Sequence, residues 1–248
     1  MSKFSKLCYI LADTPPDGFP PVDRAMDDPD GLLAAGGDLS TERLLCAYQR
    51  GIFPWYDDDK IPVLWWSPKE RMILRPDRFH VSRSLGRYIR HSNLHVAFNQ
   101  NFEAVVRACA APRHAFGGTW ITDNMFTAYL ELHQQGFAHS VEVYADKELI
   151  GGLYGVGIDR VFFGESMFSG QTNGSKIALL ALCRFMHSAG MPVLDCQLCT
   201  PHLASLGAEA LERQQFVQLL GEFCAEPVRI PQFPAQAQPV LNLLKSAQ

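Results

Sequence analysis

Glu165 is the most conspicuous chemical group in this chain. It stands in VFFGESMFSGQTNGSK (Val161–Lys176), an acid among Phe162, Phe163, Met167 and Phe168, just before a long helical pattern. A carboxylate is costly to bury unpaired. Two readings therefore stand: the polar face of an alternating strand, or an acid set in an apolar cavity for a purpose. The second suggestive pair is Asp195 and Gln197 in VLDCQL. Two apart on a strand, they point to one face, and the Asp can fix the Gln amide while its remaining groups contact a substrate. Cys196 points the other way and reads as a core thiol, with no activated Cys/His pair beside it. His139, at the start of a strand, reads as a turn histidine rather than a catalyst; His202 is placed to approach the site or to cap a helix, the cap being the first reading. The third set is cationic. Arg83, Arg87 and Arg90 in VSRSLGRYIRHS fall on one helical face. The stripe is either a solvated face or a contact for phosphates, which the guanidinium fork suits.

The bulk of the chain sets the frame for these groups. Its 248 residues are 47% hydrophobic and 19% charged, with a net charge of −4. That describes a globular chain of one large or two small domains, with basic character confined to patches. No apolar run approaches the roughly 20 residues that span a bilayer. The first residues do not read as a secretory leader. Seven scattered cysteines fit reduced thiols and a cytoplasmic setting. Cys196 and Cys199 form a C-x-x-C without the partner ligands of a zinc site, so no metal is expected. Gly170–Lys176 resembles a phosphate loop, but the spacing is short and Ser precedes Lys; no nucleotide cofactor is expected.

Residues 13–31 read as an irregular arm. Ser40 then caps a helix whose Leu44, Leu45 and Tyr48 share a face, ending at Gly51 before Pro54. Trp55, Trp65 and Trp66 crowd together next; two serve as core and an exposed remainder marks a binding surface. A boundary near Ser67–Pro68 divides a small N-terminal domain, 1–67, from a larger one, 68–248. In the latter, helices are expected within VSRSLGRYIRHS, over Phe102–Ala110 and after Thr122, the last preceded by a turn at Gly117–Thr119. SVEVYADKELIGGLYGVGIDRVFFGESMF predicts three antiparallel strands turning at Asp146-Lys147 and Gly157–Asp159. A helix over Ser175–His187, a strand in VLDCQL, a short helix at Pro201–Ser205 and a helix over Glu212–Cys224 follow. The tail after Pro227 is expected to fray or drape over the surface. A meander followed by helix, strand and helix is the order of acyltransferase cores related to the N-acetyltransferases. There the strands flanking the central helix splay apart. Here the gap lies between Val161–Phe168 and Val193–Leu198, with Glu165 opposite Asp195 and Gln197. The expected class is mixed α+β, with a GNAT-like domain and a splayed central sheet.

The ordered set GIFPW, WWSP, HVSRSL, GTWIT, HSVE, LIGGLYGV, GESMFS and LDCQ, from about Gly31 to Arg213, resembles the bacterial leucyl/phenylalanyl-tRNA–protein transferases. The resemblance implies transfer of Leu or Phe, less readily Met, from charged tRNA to the N-terminal amine of proteins beginning with Arg or Lys. The product is marked for degradation. It further implies that Trp55 and Trp120 wall an apolar side-chain pocket with Leu153, Phe162 and Met167. Glu165 then lies beside the α-amine, Asp195 and Gln197 hold the reacting centre, and Arg83, Arg87 and Arg90 meet the acceptor stem. Three positions depart from the family's habit: Leu153 for Met, Gly86 for Lys, which thins the basic stripe, and Gly174 for a small side chain. An aminoacyl ester is already activated, so the chemistry needs an aimed neutral amine and a stabilised oxyanion, not ATP. The rivals are a CoA-dependent N-acyltransferase, disfavoured by the missing pyrophosphate loop, and a non-enzymatic tRNA-binding adaptor.

Overall fold

The structure is a computed structural model that describes residues 7–111 and 121–245. The expected turn at Gly117–Thr119 and Trp120 lie outside the described residues. The N-terminal part forms a small sheet from β1 (Cys8–Ile10), β2 (Leu32–Gly36), β3 (Phe53–Pro54) and β4 (Leu64–Trp66), ordered β1-β2-β4-β3. Helix α1 (Thr41–Gln49) connects β2 to β3, and Leu44, Leu45 and Tyr48 are buried as its periodicity predicts. Ser40 occupies the N-cap position, but its hydroxyl makes no cap bond. Asp38 organises the turn instead, accepting the Ser40 N–H at 2.9 Å. Gly51 ends the helix at φ +75°, where a side chain would be strained.

The remaining elements are β5 (Glu70–Leu74), α2 (Arg83–Arg90), β6 (Leu94–Phe98), α3 (Phe102–Ala110) and α4 (Asp123–Gln134). They continue with β7 (Ala138–Ala145), β8 (Glu148–Ile158), β9 (Val161–Ser169) and α5 (Gly174–Ser188). The last are β10 (Val193–Gln197), α6 (Pro201–Ser205), β11 (Glu209–Glu212), α7 (Arg213–Phe223) and β12 (Gln238–Pro239). Among the described residues the larger sheet has eight strands in the order β11-β5-β10-β9-β8-β7-β6-β12. Only β9 and β10 pair in parallel there. The helix α5 is the crossover such a pair requires.

The meander β7–β8–β9 turns on Asp146 and Asp159, both left-handed at φ 52° and 53°. The second turn lies later than expected, since Gly157 and Ile158 remain in β8. Gly157 is glycine for a packing reason: a Cβ there would sit 2.6 Å from Ile230. That contact belongs to a wider docking. The tail drapes rather than frays. Ile230, Val240 and Leu243 are buried, β12 pairs with β6, and Phe233 stacks on both Phe98 and Phe185. Enough apolar side chains survive among the prolines and glutamines to dock it. The last long helix begins at Arg213, not Glu212. Glu212 instead closes β11 and forms a capping box with Gln215.

One core covers each face of the larger sheet. On one face Trp65 and Tyr48 from the N-terminal part pack with Tyr129, Tyr154 and Phe163. The chain changes sheets between Trp66 and Glu70, and this core crosses that point without interruption. On the other face α5 is buried nearly all round, against α2, the sheet and the tail. Such a helix reads as a central one.

Candidate functional site

Strands β9 and β10 pair through Val161–Val193, Phe162–Leu194 and Phe163–Asp195, and then part. Each strand is irregular just past that point. Glu165 is the extra residue of a bulge in β9, between the Gly155–Gly164 and Tyr154–Ser166 pairs. Cys196 is skipped in β10, between the Asp195–Ile73 and Gln197–Met72 pairs, and Gln197 adopts φ +60°. Bulges bend a strand and re-aim its side chains. Here they open the gap and turn Glu165 and Gln197 toward each other, with Gln197 Nε2 donating to Glu165 Oε1 at 3.0 Å.

The Glu165 carboxyl is held by two further donors. Tyr48 of α1 donates to Oε1 at 2.8 Å and Tyr129 of α4 to Oε2 at 2.6 Å; the two hydroxyls are themselves 2.8 Å apart. Burial raises the Glu165 pKa to about 7, against the opposing pull of these hydrogen bonds. Burial and the neighbouring Glu165 charge push both tyrosines well above their ordinary range, so they remain O–H donors. The choice between surface acid and cavity acid is thereby decided for the cavity.

Asp195 does not do what its spacing suggested. It is fully buried, and its two oxygens take the Arg71 fork, Nε at 2.8 Å and Nη2 at 2.6 Å. The bond to Gln197 goes to the backbone N–H, at 2.9 Å, not to the side-chain amide. The bulge and the positive φ break the two-residue alternation on which the shared-face expectation rested. A left-handed non-glycine residue costs roughly 1–2 kcal/mol, so Gln197 needs such an anchor. Arg71 is itself clamped. It donates to Gly51 O at 3.1 Å and lies over the Phe53 and Phe216 rings, 4.6 and 4.8 Å from their centroids.

Two cavities meet at Glu165. The larger, about 990 Å³, is open and bounded by Trp55, Met167, Phe168, Gln197, Leu198 and His202 among others. The smaller, about 120 Å³, is an apolar recess between the splayed strands and α5, lined by Leu153, Met167, Leu179, Leu182, Leu194 and Leu203. Glu165, Ser166, Met167, Cys196 and Leu203 border both. Of the expected pocket residues, Trp55 is 40% exposed on the larger cavity and edge-on to Trp66, while Leu153 and Met167 line the recess. Phe162 is fully buried behind it in the α5-side core and borders neither cavity. Trp120 lies outside the described residues. Arg83, Arg87 and Arg90 are exposed along α2 and border neither cavity. Gly86 sits on the buried face of α2, so its departure from Lys does not interrupt the exposed stripe.

The remaining candidates are quiet. Burial raises the Cys196 thiol well above its usual range, which leaves no thiolate for nucleophilic work. His139 stands at the start of β7, as expected, its pKa lowered by burial to about 4. Glu142, buried like Asp195, accepts from Ser140 at 2.5 Å and from the Gln100 and Asn101 N–H groups. It thus tethers the start of α3. Sequence reasoning missed Tyr48, Tyr129 and Arg71. The two tyrosines carried a signal only as members of apolar helix faces, and Arg71 only as a cation leading a strand of Met72, Ile73 and Leu74.

The meander, the central helix and the splayed parallel pair have the arrangement of the N-acetyltransferase-like fold class. More particularly, the chain belongs to the leucyl/phenylalanyl-tRNA protein transferase family. The family's model matches residues 73–221, and the model of its N-terminal domain matches residues 37–69. The leucyl/phenylalanyl-tRNA–protein transferase of Pseudomonas entomophila is 53% identical over 209 residues, covering 84% of this chain and 92% of that protein. That of Pseudomonas aeruginosa PAO1 is 52% identical over the same shares. Among solved structures, AAC(6′)-Iy in complex with a bisubstrate analogue aligns with 58% of this chain and 99% of that one. At 17% identity and a TM-score of 0.33 the likeness is too loose to assign anything. Family membership makes the chain an aminoacyltransferase.

Proposed function

We propose that this enzyme moves leucine or phenylalanine, and less readily methionine, from charged tRNA to the α-amine of proteins beginning with Arg or Lys, marking them for degradation in the cytoplasm. The observation that carries the reading is the contact of Glu165 with Gln197 where the open cavity meets the apolar recess. In this reading the recess takes the aminoacyl side chain. Leu153, Met167 and its leucines supply the walls, with Phe162 behind them. The larger cavity takes the terminal nucleotide and the acceptor's first residues, with Trp55 at its rim.

Glu165 pairs with the α-ammonium of the aminoacyl group and so fixes which way the ester carbonyl faces. Gln197 contributes hydrogen bonds at the reacting centre. An amide is too weak a base to deprotonate an ammonium, so the acceptor amine arrives neutral. It attacks the carbonyl, the tetrahedral intermediate collapses, and the tRNA's terminal ribose oxygen leaves with the proton the amine gives up. Orientation supplies most of the acceleration. Asp195 contributes from behind, through the backbone of Gln197. Arg83, Arg87 and Arg90 hold the acceptor stem by its phosphates.

Shape selects the side chain. Leu, Phe and Met are unbranched at Cβ and enter a narrow neck, whereas Val and Ile do not. One methylene is worth about 1–3 kcal/mol in such a pocket, so discrimination is good but incomplete. The test is incubation with radiolabelled Phe-tRNA and an Arg-initiated peptide. Label in the peptide is expected. Its absence, or equal labelling from Val-tRNA, would sink the assignment.

A further inference from the structure

We propose that Arg71 is a positioning residue for the transfer reaction, acting on Gln197 through Asp195. The inference rests on reading the Glu165–Gln197 gap as the transfer site. Gln197 lies beyond the last β9–β10 pair, Phe163–Asp195, so the β9 ladder no longer guides its backbone. Its N–H is held by Asp195 Oδ1, and its left-handed φ turns the side chain to Glu165.

The orientation of that carboxylate decides where Oδ1 lies, and Arg71 sets it with two parallel bonds, one to each oxygen. A planar fork fixes the plane of a carboxylate as a point charge does not. The guanidinium is fixed in turn by the Gly51 carbonyl and by the two aromatic rings. Asp195 borders neither cavity, so a change at this ion pair reaches the substrates through its neighbours, first of all through Gln197, whose N–H it holds. The β5 residue and its aromatic clamp are thus as much a part of the reaction geometry as the strand that carries Gln197.

The experiment compares wild type, Arg71→Lys, Gln197→Ala and the double variant R71M/D195L in steady-state transfer of Phe from tRNA to an Arg-initiated peptide. Lysine keeps the charge and loses the fork. It is expected to lower kcat about 100-fold, the cost of misplacing a reacting group by an ångström, with KM for Phe-tRNA within about threefold of wild type. Because the Gln197 amide lowers the Glu165 pKa, both Arg71→Lys and Gln197→Ala should move the acidic limb of the pH–rate profile upward. A purely structural ion pair would leave that limb in place. Buried ion pairs are often replaceable by apolar residues without loss of the fold. The double variant should therefore unfold near the wild-type temperature and still show the kcat loss. A kcat near wild type in either variant, or a loss that only tracks the folded fraction, would overturn the positioning role. A wild-type enzyme that transfers nothing would overturn the underlying reading, and this inference with it.

Discussion

Glu165 is held in two opposing ways. Three donors solvate its carboxylate, yet burial raises its pKa from 4.5 to about 7. Above pH 7 the folded protein therefore carries a charge that the unfolded chain accommodates more easily. The folded state binds the extra proton between pH 4.5 and 7, so stability falls as pH rises through that window. At 1.36 kcal/mol per pH unit the penalty reaches about 3 kcal/mol by pH 8. Replacing Glu165 by Gln is expected to leave unfolding free energy nearly unchanged near pH 4 and to raise it toward that amount at pH 8, while transfer is lost. Denaturant unfolding at the two pH values measures it, and equal stabilisation at both would contradict the buried-acid account. The acid was legible from its apolar neighbours. Its tyrosine partners were not, because Tyr48 and Tyr129 approach it from helices 117 and 36 residues away in the chain.

Elements were more legible than their joints. The helices over Arg83–Arg90 and Phe102–Ala110 and the three-stranded meander follow from periodicity and turn residues. The two bulges that shape the gap left no local mark, since a bulge is a mismatch between strands and not a property of one. Of the two expectations for the tail, fraying or draping, the sequence could not choose the second for a related reason. Its composition is that of a linker, and its docking depends on apolar partners at Gly157, Phe98 and Phe185 far upstream. Leu243 is fully packed in the turn that ends it. Leu243→Ala should cost about 2–3 kcal/mol, seen as a lower unfolding temperature, with transfer activity retained at temperatures where the variant is folded. An unchanged unfolding temperature would mean that the tail contributes nothing to the fold.

At the scale of the whole molecule the net charge of −4 and the exposed Arg83, Arg87 and Arg90 stripe act together. On the proposed reading a tRNA is repelled by most of such a surface and drawn to one helix face, which orients its approach. Replacing all three arginines by Gln should raise KM for aminoacyl-tRNA at low salt by about tenfold or more and leave kcat unchanged. The slope of log KM against log salt should fall by about 0.9 for each phosphate that is no longer neutralised. A KM and slope equal to wild type would return the stripe to a merely solvated face. The N-terminal part belongs to this scale as well. Its Tyr48 reaches Glu165 and its Phe53 clamps Arg71, so the site is built across both sheets.

Residue order alone determined the helices, the meander, the family and the suspicion that fell on Glu165, Asp195 and Gln197. Those follow from periodicity, turn chemistry and an acid placed where acids are expensive, all of which act within a few residues. Only the folded chain decided that Asp195 serves Gln197 from behind, that Arg71 holds it there and that two tyrosines share the cavity acid. Such roles depend on strand register and on side chains converging from distant segments, which no local pattern records.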